Sequence, residues 1–193
     1  EFVPNYQAGQ LVGLVGGLAW YFLRPRSTKA TPPDAADGVW QVLPWPTDLT
    51  AATVSGVWHH DGDAVVSGEG ICVLALAETL PARCDLRLTV RRLGGSESVA
   101  LFFRHPAGFG SAELDGWSRH RSGVQAINGN TTQGDDGFDF NLEPGRDVEL
   151  GLELRPEQIR MTVAGTLSRT YPLAGRTLGV VAPWAWQPSA NGP

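Results

Sequence analysis

The stretch Ser111 to Asn130, SAELDGWSRHRSGVQAINGN, gathers the side chains best suited to act on a ligand. Glu113 and Asp115 stand two apart, and glycoside hydrolysis needs two carboxyl groups flanking the scissile bond, one of them poised as an acid. That spacing lets both face one side of a strand, but it is also ordinary strand alternation. Gly116, Trp117 and Ser118 follow. The other chemistry is recognition. The Trp117 indole could stack on a sugar ring with Asp115, His120 and Asn130 as polar partners, although large aromatics more often fill cores. The stretch is therefore expected to form a strand, a bend and a second strand. Its polar edge, Asp115, Trp117, His120 and Asn130, is the candidate ligand-binding set, and no residue is assigned a catalytic role.

Other chemistries fare worse. Asp135, Asp136 and Asp139 in NGNTTQGDDGFDFN offer the oxygens that calcium prefers, without the regular EF-hand spacing. Asn and Asp in such a loop ordinarily make local turns. No metal and no cofactor is expected, calcium being the one ion the composition would admit. His59 and His60 precede a turn, His105 and His120 stand apart, and none is paired at helical spacing as a zinc site would want. These histidines are expected near turns and in solvent. There is no Gly-x-Ser-x-Gly elbow and no Walker-type loop. The two cysteines, Cys72 and Cys84, match no zinc template.

These residues need elements to hold them. With 18% charged residues, a net charge of −5 and no block of like charge, the chain is not expected to bind nucleic acid. From Val39 onward the hydrophobic period is two. DVELGLELR alternates strictly, with Val148, Leu150, Leu152 and Leu154 on one face, and QIRMTVAG continues with Ile159, Met161 and Val163 after the turn RPEQ. Short strands at this spacing indicate an all-β, two-sheet antiparallel sandwich. GICVLALA and CDLRLTV, on either side of Leu80-Pro81, are expected to pair as a hairpin with Cys72 opposite Thr89 and Ala77 opposite Cys84. Five ladder positions, about 17 Å, would then keep the two thiols from bonding. Tryptophans 40, 45, 58, 184 and 186 are expected to plug the sandwich ends or pack beneath terminal strands.

Residues 1–25 read differently. Ala8 to Leu23 is uncharged, ends in Trp20 and Tyr21, and is followed by Arg24 and Arg26, the order found at the end of a membrane-crossing helix. It falls short of the roughly 20 residues that span a bilayer. A signal-peptide remnant or a buried pair of strands are the alternatives. The expected organisation is an apolar N-terminal helix acting as membrane anchor (1–25), a flexible linker (26–38) and a β-sandwich (39–193). The basic residues after the apolar run favour a cytoplasmic domain by the positive-inside rule.

The order of signals GVWHHDGDAVVSG, LDGW…SGVQAINGN and RPEQIRMTVAG resembles the concanavalin-A-like, laminin-G-like jelly-roll domains related to the 3-keto-disaccharide hydrolase family, as found in multidomain planctomycete (bacterial) proteins. The resemblance covers Trp58 to Val181. One departure is Ala164-Gly165, where the family hairpin often carries Asp-Gly. The resemblance implies a jelly-roll sandwich in an extracytoplasmic, membrane-tethered protein, with a loose link to sugar chemistry. Jelly-roll glucanases of the retaining type carry Glu-x-Asp-x-x-Glu on one strand face, and the second Glu is missing here. The expected function is a non-catalytic binding or interaction module for a glycan or a protein ligand. The alternatives are a sugar-processing hydrolase or lyase and a purely structural accessory domain.

Overall fold

The computed structural model describes residues 11–15, 20–29, 40–76, 83–95, 98–116 and 119–180. Its strands in chain order are β1 (Leu11–Val15), β2 (Trp20–Lys29), β3 (Trp40–Gln41), β4 (Thr53–Ser55), β5 (Trp58–Asp61), β6 (Ala64–Ser67), β7 (Ile71–Ala75) and β8 (Cys84–Gly94). They continue as β9 (Val99–His105), β10 (Gly108–Gly116), β11 (Arg121–Gln125), β12 (Phe138–Asp139), β13 (Asp147–Arg155), β14 (Gln158–Val163) and β15 (Leu167–Pro172). One helix of four residues, α1 (Leu49–Ala52), precedes β4. The strands form two antiparallel sheets packed as a sandwich, as expected. The first runs β12-β11-β10-β9-β1-β7-β4; the second runs β15-β14-β13-β8-β2-β6-β5, with β3 beside β2.

Alternation along the strands decides which faces meet. Val148, Leu150, Leu152 and Leu154 of β13 are buried, as are Ile159, Met161 and Val163 of β14. The register sets Leu152 opposite Met161 and Leu154 opposite Ile159. From β8 come Cys84, Leu86, Leu88 and Val90; from the facing sheet come Val99, Leu101, Phe103, Ala112 and Leu114. Each large side chain so buried contributes about 1.5–3 kcal/mol. Trp58 belongs to this core, and Trp45 is half-buried against it with its indole N–H donating to Asp63 O at 3.2 Å. Trp184 and Trp186 lie outside the described residues.

Three expectations need correction. The apolar N-terminal segment is strand where it is described, not helix: β1 pairs β7 and β9, and β2 pairs β6 and β8. An inner strand flanked on both sides reads as a continuous apolar run, which periodicity alone cannot separate from a short buried helix. The linker boundary at residue 26 consequently falls inside β2. No helix among the described residues is long and apolar enough to cross a membrane. Second, β7 and β8 do not form a hairpin, because they belong to different sheets. Both cysteines are free, as expected, and both are buried. Third, His105 is not solvated. It is buried, with Nε2 at 2.8 Å from Arg155 O and Nδ1 accepting the Ala107 N–H at 3.0 Å.

Candidate functional site

The inward row of β8, Leu86, Leu88 and Val90, ends in Arg92, whose side chain is only 4% exposed. A guanidinium at the end of an apolar row requires a partner there. β10 supplies it. The pairing of β10 with β11 shifts register between Glu113 and Gly116, and Asp115 takes φ 55°. Asp tolerates this left-handed conformation better than most residues. The bulge breaks the alternation that would have kept Asp115 with Glu113, and such irregularities commonly re-aim a side chain. Asp115 Oδ2 accepts from Arg92 Nη1 at 2.7 Å and from Leu142 N–H at 2.8 Å, while Oδ1 lies 2.7 Å from His120 Nδ1. Its own N–H donates to Ser122 Oγ at 2.9 Å. Arg92 Nη1 also donates to Leu142 O at 3.0 Å. One carboxylate thus ties both sheets and the approach to β13 together.

His120 is the outward end of this chain of contacts. It sits at φ 57° in the turn before β11, and its backbone oxygen accepts the Phe140 N–H at 2.7 Å. Its side chain is 58% exposed while that of Asp115 is 2% exposed. The sequence-derived set is therefore only partly assembled. Asp115 and His120 touch, with Asp115 buried rather than at a ligand edge. Trp117 lies outside the described residues. Asn130 falls beyond the opposite end of β11, and five strand residues set it about 17 Å from His120.

Glu113 serves a second network, which separates it from Asp115. Its Oε1 accepts from Ser98 Oγ at 2.7 Å and its Oε2 from Gln125 Nε2. Gln125 also donates to Thr132 Oγ1 at 2.9 Å and accepts the Thr132 N–H at 3.1 Å. All four residues are buried. Gly116 permits the packing, because a β-carbon there would lie 2.7 Å from the Glu113 carboxyl carbon. No family model, curated protein or solved structure matches the chain. The site's own chemistry shows two carboxylates, Glu113 and Asp115, in separate hydrogen-bond networks.

The acidic loop before β12 is organised by arginines. Arg121 donates to Thr132 O at 2.9 Å and Gly134 O at 2.8 Å and pairs with Asp139 at 2.6 Å. Arg169 of β15 donates to Gly137 O at 2.8 Å and to Asp135 O. The Asp139 carboxylate and the loop carbonyls of Thr132, Gly134, Asp135 and Gly137 thus take guanidinium hydrogens. Among the described residues no group of three or more His, Cys, Asp or Glu is placed to hold a metal. Asn130, Thr131, Gly134, Asp135 and Asp136 line an open depression of about 370 Å³ along the outer edge of β11. Beneath it Tyr171 is buried, which pushes its phenol up to about 12.

Sequence reasoning missed Arg92, Ser98, Gln125 and Thr132. Arg92 did carry a signal, since it occupies the inward phase of a clean period-two strand. The Glu113 network carried none, because its members come from four separated segments.

Proposed function

We propose that this chain is a non-catalytic binding module that recognises carbohydrate along the β11 edge of its first sheet, on a jelly-roll sandwich of the concanavalin-A-like kind. The observation that carries the reading is the arrangement at His120. The ring is held through one nitrogen by a buried carboxylate, yet most of the side chain is open to solvent. A polar group already ordered before the ligand arrives loses less entropy on binding than a free surface side chain. The depression lined by Asn130, Thr131 and Asp136 extends the polar edge along β11. Sugars suit such a surface because they bring many hydroxyls and little charge.

Glu113 and Asp115 support the non-catalytic half of the proposal. Each spends its oxygens on internal donors, whereas a glycosidase acid and its partner must face a common cleft. The resemblance to the laminin-G-like domains favours an extracytoplasmic location. Residues 11–15 and 20–29 serve as strands of the sandwich and do not act as a membrane tether.

The test is a glycan-array screen of the full chain beside hydrolysis assays on the glycans that bind. The expected result is saturable binding without turnover, weakened by Asn130→Ala. Turnover of any bound glycan, or an array blank throughout, would sink the proposal.

A further inference from the structure

The geometry points to one atom as the ligand contact at the His120 turn. We propose that His120 Nε2 is presented there as a hydrogen-bond acceptor and that it takes a neutral hydroxyl donor, such as a sugar OH, in preference to a carboxylate or phosphate. This rests on the carbohydrate-binding reading and gives it a chemical specificity.

Asp115 already receives N–H groups from Arg92 and Leu142 on Oδ2, the pattern of an ionised, acceptor-only carboxylate. Its Oδ1 can therefore only accept from His120, so the hydrogen on Nδ1 is dictated by the contact at 2.7 Å. In a neutral imidazole with Nδ1 protonated, Nε2 carries a lone pair and no hydrogen. The hydrogen bond made by one ring nitrogen sets the tautomer and with it the role of the other. The turn is ordered as well: the His120 backbone oxygen is held by Phe140 N–H, and the residue occupies a left-handed conformation. A lone pair presented in this way attracts O–H groups and repels the acceptor-only oxygens of anions.

The surrounding charge points the same way. From β10 the ring faces Asp115, with Arg92 of β8 behind that carboxylate. Arg121 of β11 is committed to Asp139 and to loop carbonyls. Asp135 and Asp136 stand farther along the same edge. Among the described residues of that turn, Arg119 is exposed and is the cation that would welcome an anion.

The test uses long-range 15N–1H correlation NMR on the full chain, at a pH well above the usual imidazole range. The first expected result is a His120 ring with Nδ1 protonated and Nε2 bare. Methyl β-glucoside is then titrated in parallel with glucuronate. The neutral glycoside should move the His120 Nε2 resonance and leave that of exposed His59 in place, whereas glucuronate should move it far less. His120→Phe keeps a ring of similar size without the acceptor and should bind the glycoside about three- to tenfold more weakly. A His120 ring protonated at Nε2 would overturn the proposal, as would equal responses to the two sugars. If array glycans bind while the His120 resonances stay still, the binding module stands and this contact is wrong. If Nε2 is bare but no saccharide binds anywhere, the carbohydrate reading fails and takes the ligand class with it.

Discussion

Arg92→Met removes the guanidinium from the end of the β8 inward row and leaves Asp115, 1% exposed, with a buried charge. The carboxylate keeps Leu142 N–H and His120, but it loses its cation, and Leu142 O loses a donor. Breaking a buried pair from one side costs about 3–5 kcal/mol, most of it from stranding the remaining charge. For a chain of 193 residues that is a fall in Tm of roughly 6–20 °C. The same physics makes the double variant informative. Arg92→Met with Asp115→Asn strands no charge, and Asn tolerates the left-handed backbone at position 115 nearly as well as Asp. The double variant should therefore regain about 2–3 kcal/mol over Arg92→Met alone. Urea unfolding followed by tryptophan fluorescence measures all three proteins, provided the m-values agree. An Arg92→Met protein within about 1 kcal/mol of wild type would refute the buried-charge argument. So would losses that simply add in the double variant.

Leu152→Asp, which puts a charge into the β13 core row, should cost several kcal/mol, whereas Glu153→Lys on the opposite face should change stability by about 1 kcal/mol or less; equal shifts in Tm would invert the face assignment. Ala164 sits at φ 52° in the β14–β15 turn, so Ala164→Asn should stabilise the chain by about 0.5–1 kcal/mol in the same urea assay, and a loss would mean the turn is not of the kind described. Removing residues 1–30 takes an inner strand from each sheet, so the remainder should show no cooperative thermal transition by circular dichroism; a folded remainder would revive the reading of this segment as a separate anchor. Tyr171 has a folded-state value of about 12 against about 10 for an unfolded phenol, so its contribution is complete below pH about 10 and disappears as the pH rises through about 12. Tyr171→Phe should accordingly flatten part of the loss of stability across that window, and an unchanged alkaline limb would show that the phenol titrates alike in both states.

What could be read from the sequence was local. β13 and β14 alternate strictly and are joined by a tight turn, so their faces and their pairing follow from period two alone. The strand-bend-strand character of Ser111 to Asn130 was legible from turn-formers set between two strand-like runs. The failures were all non-local. β7 and β8 are neighbours in the chain, but each finds better partners far away, β7 in β1 and β8 in β2 and β13. Asp115 read as a surface acid among turn-formers, because nothing nearby in sequence shows that a bulge will turn it toward Arg92. Asn130 read as its neighbour because chain distance was taken for spatial distance, and β11 lies between them.

The placement of β1 and β2 has a consequence for how the chain is made. Of the described strands they leave the ribosome before the rest, yet their ladders wait on β7, β8 and β9, the last of which ends at His105. At about 5–20 residues per second, that delay lasts several seconds or more. Throughout it the uncharged run from Ala8 to Leu23 has no sheet to enter, and its aromatic and basic flank is the kind that draws a nascent segment toward lipid. Biogenesis of this sandwich is thus a race between late strand pairing and the wrong destination for β1 and β2. Variants that slow the arrival or docking of β8 and β9 should lower yield in cells without lowering the stability of the molecules that do fold.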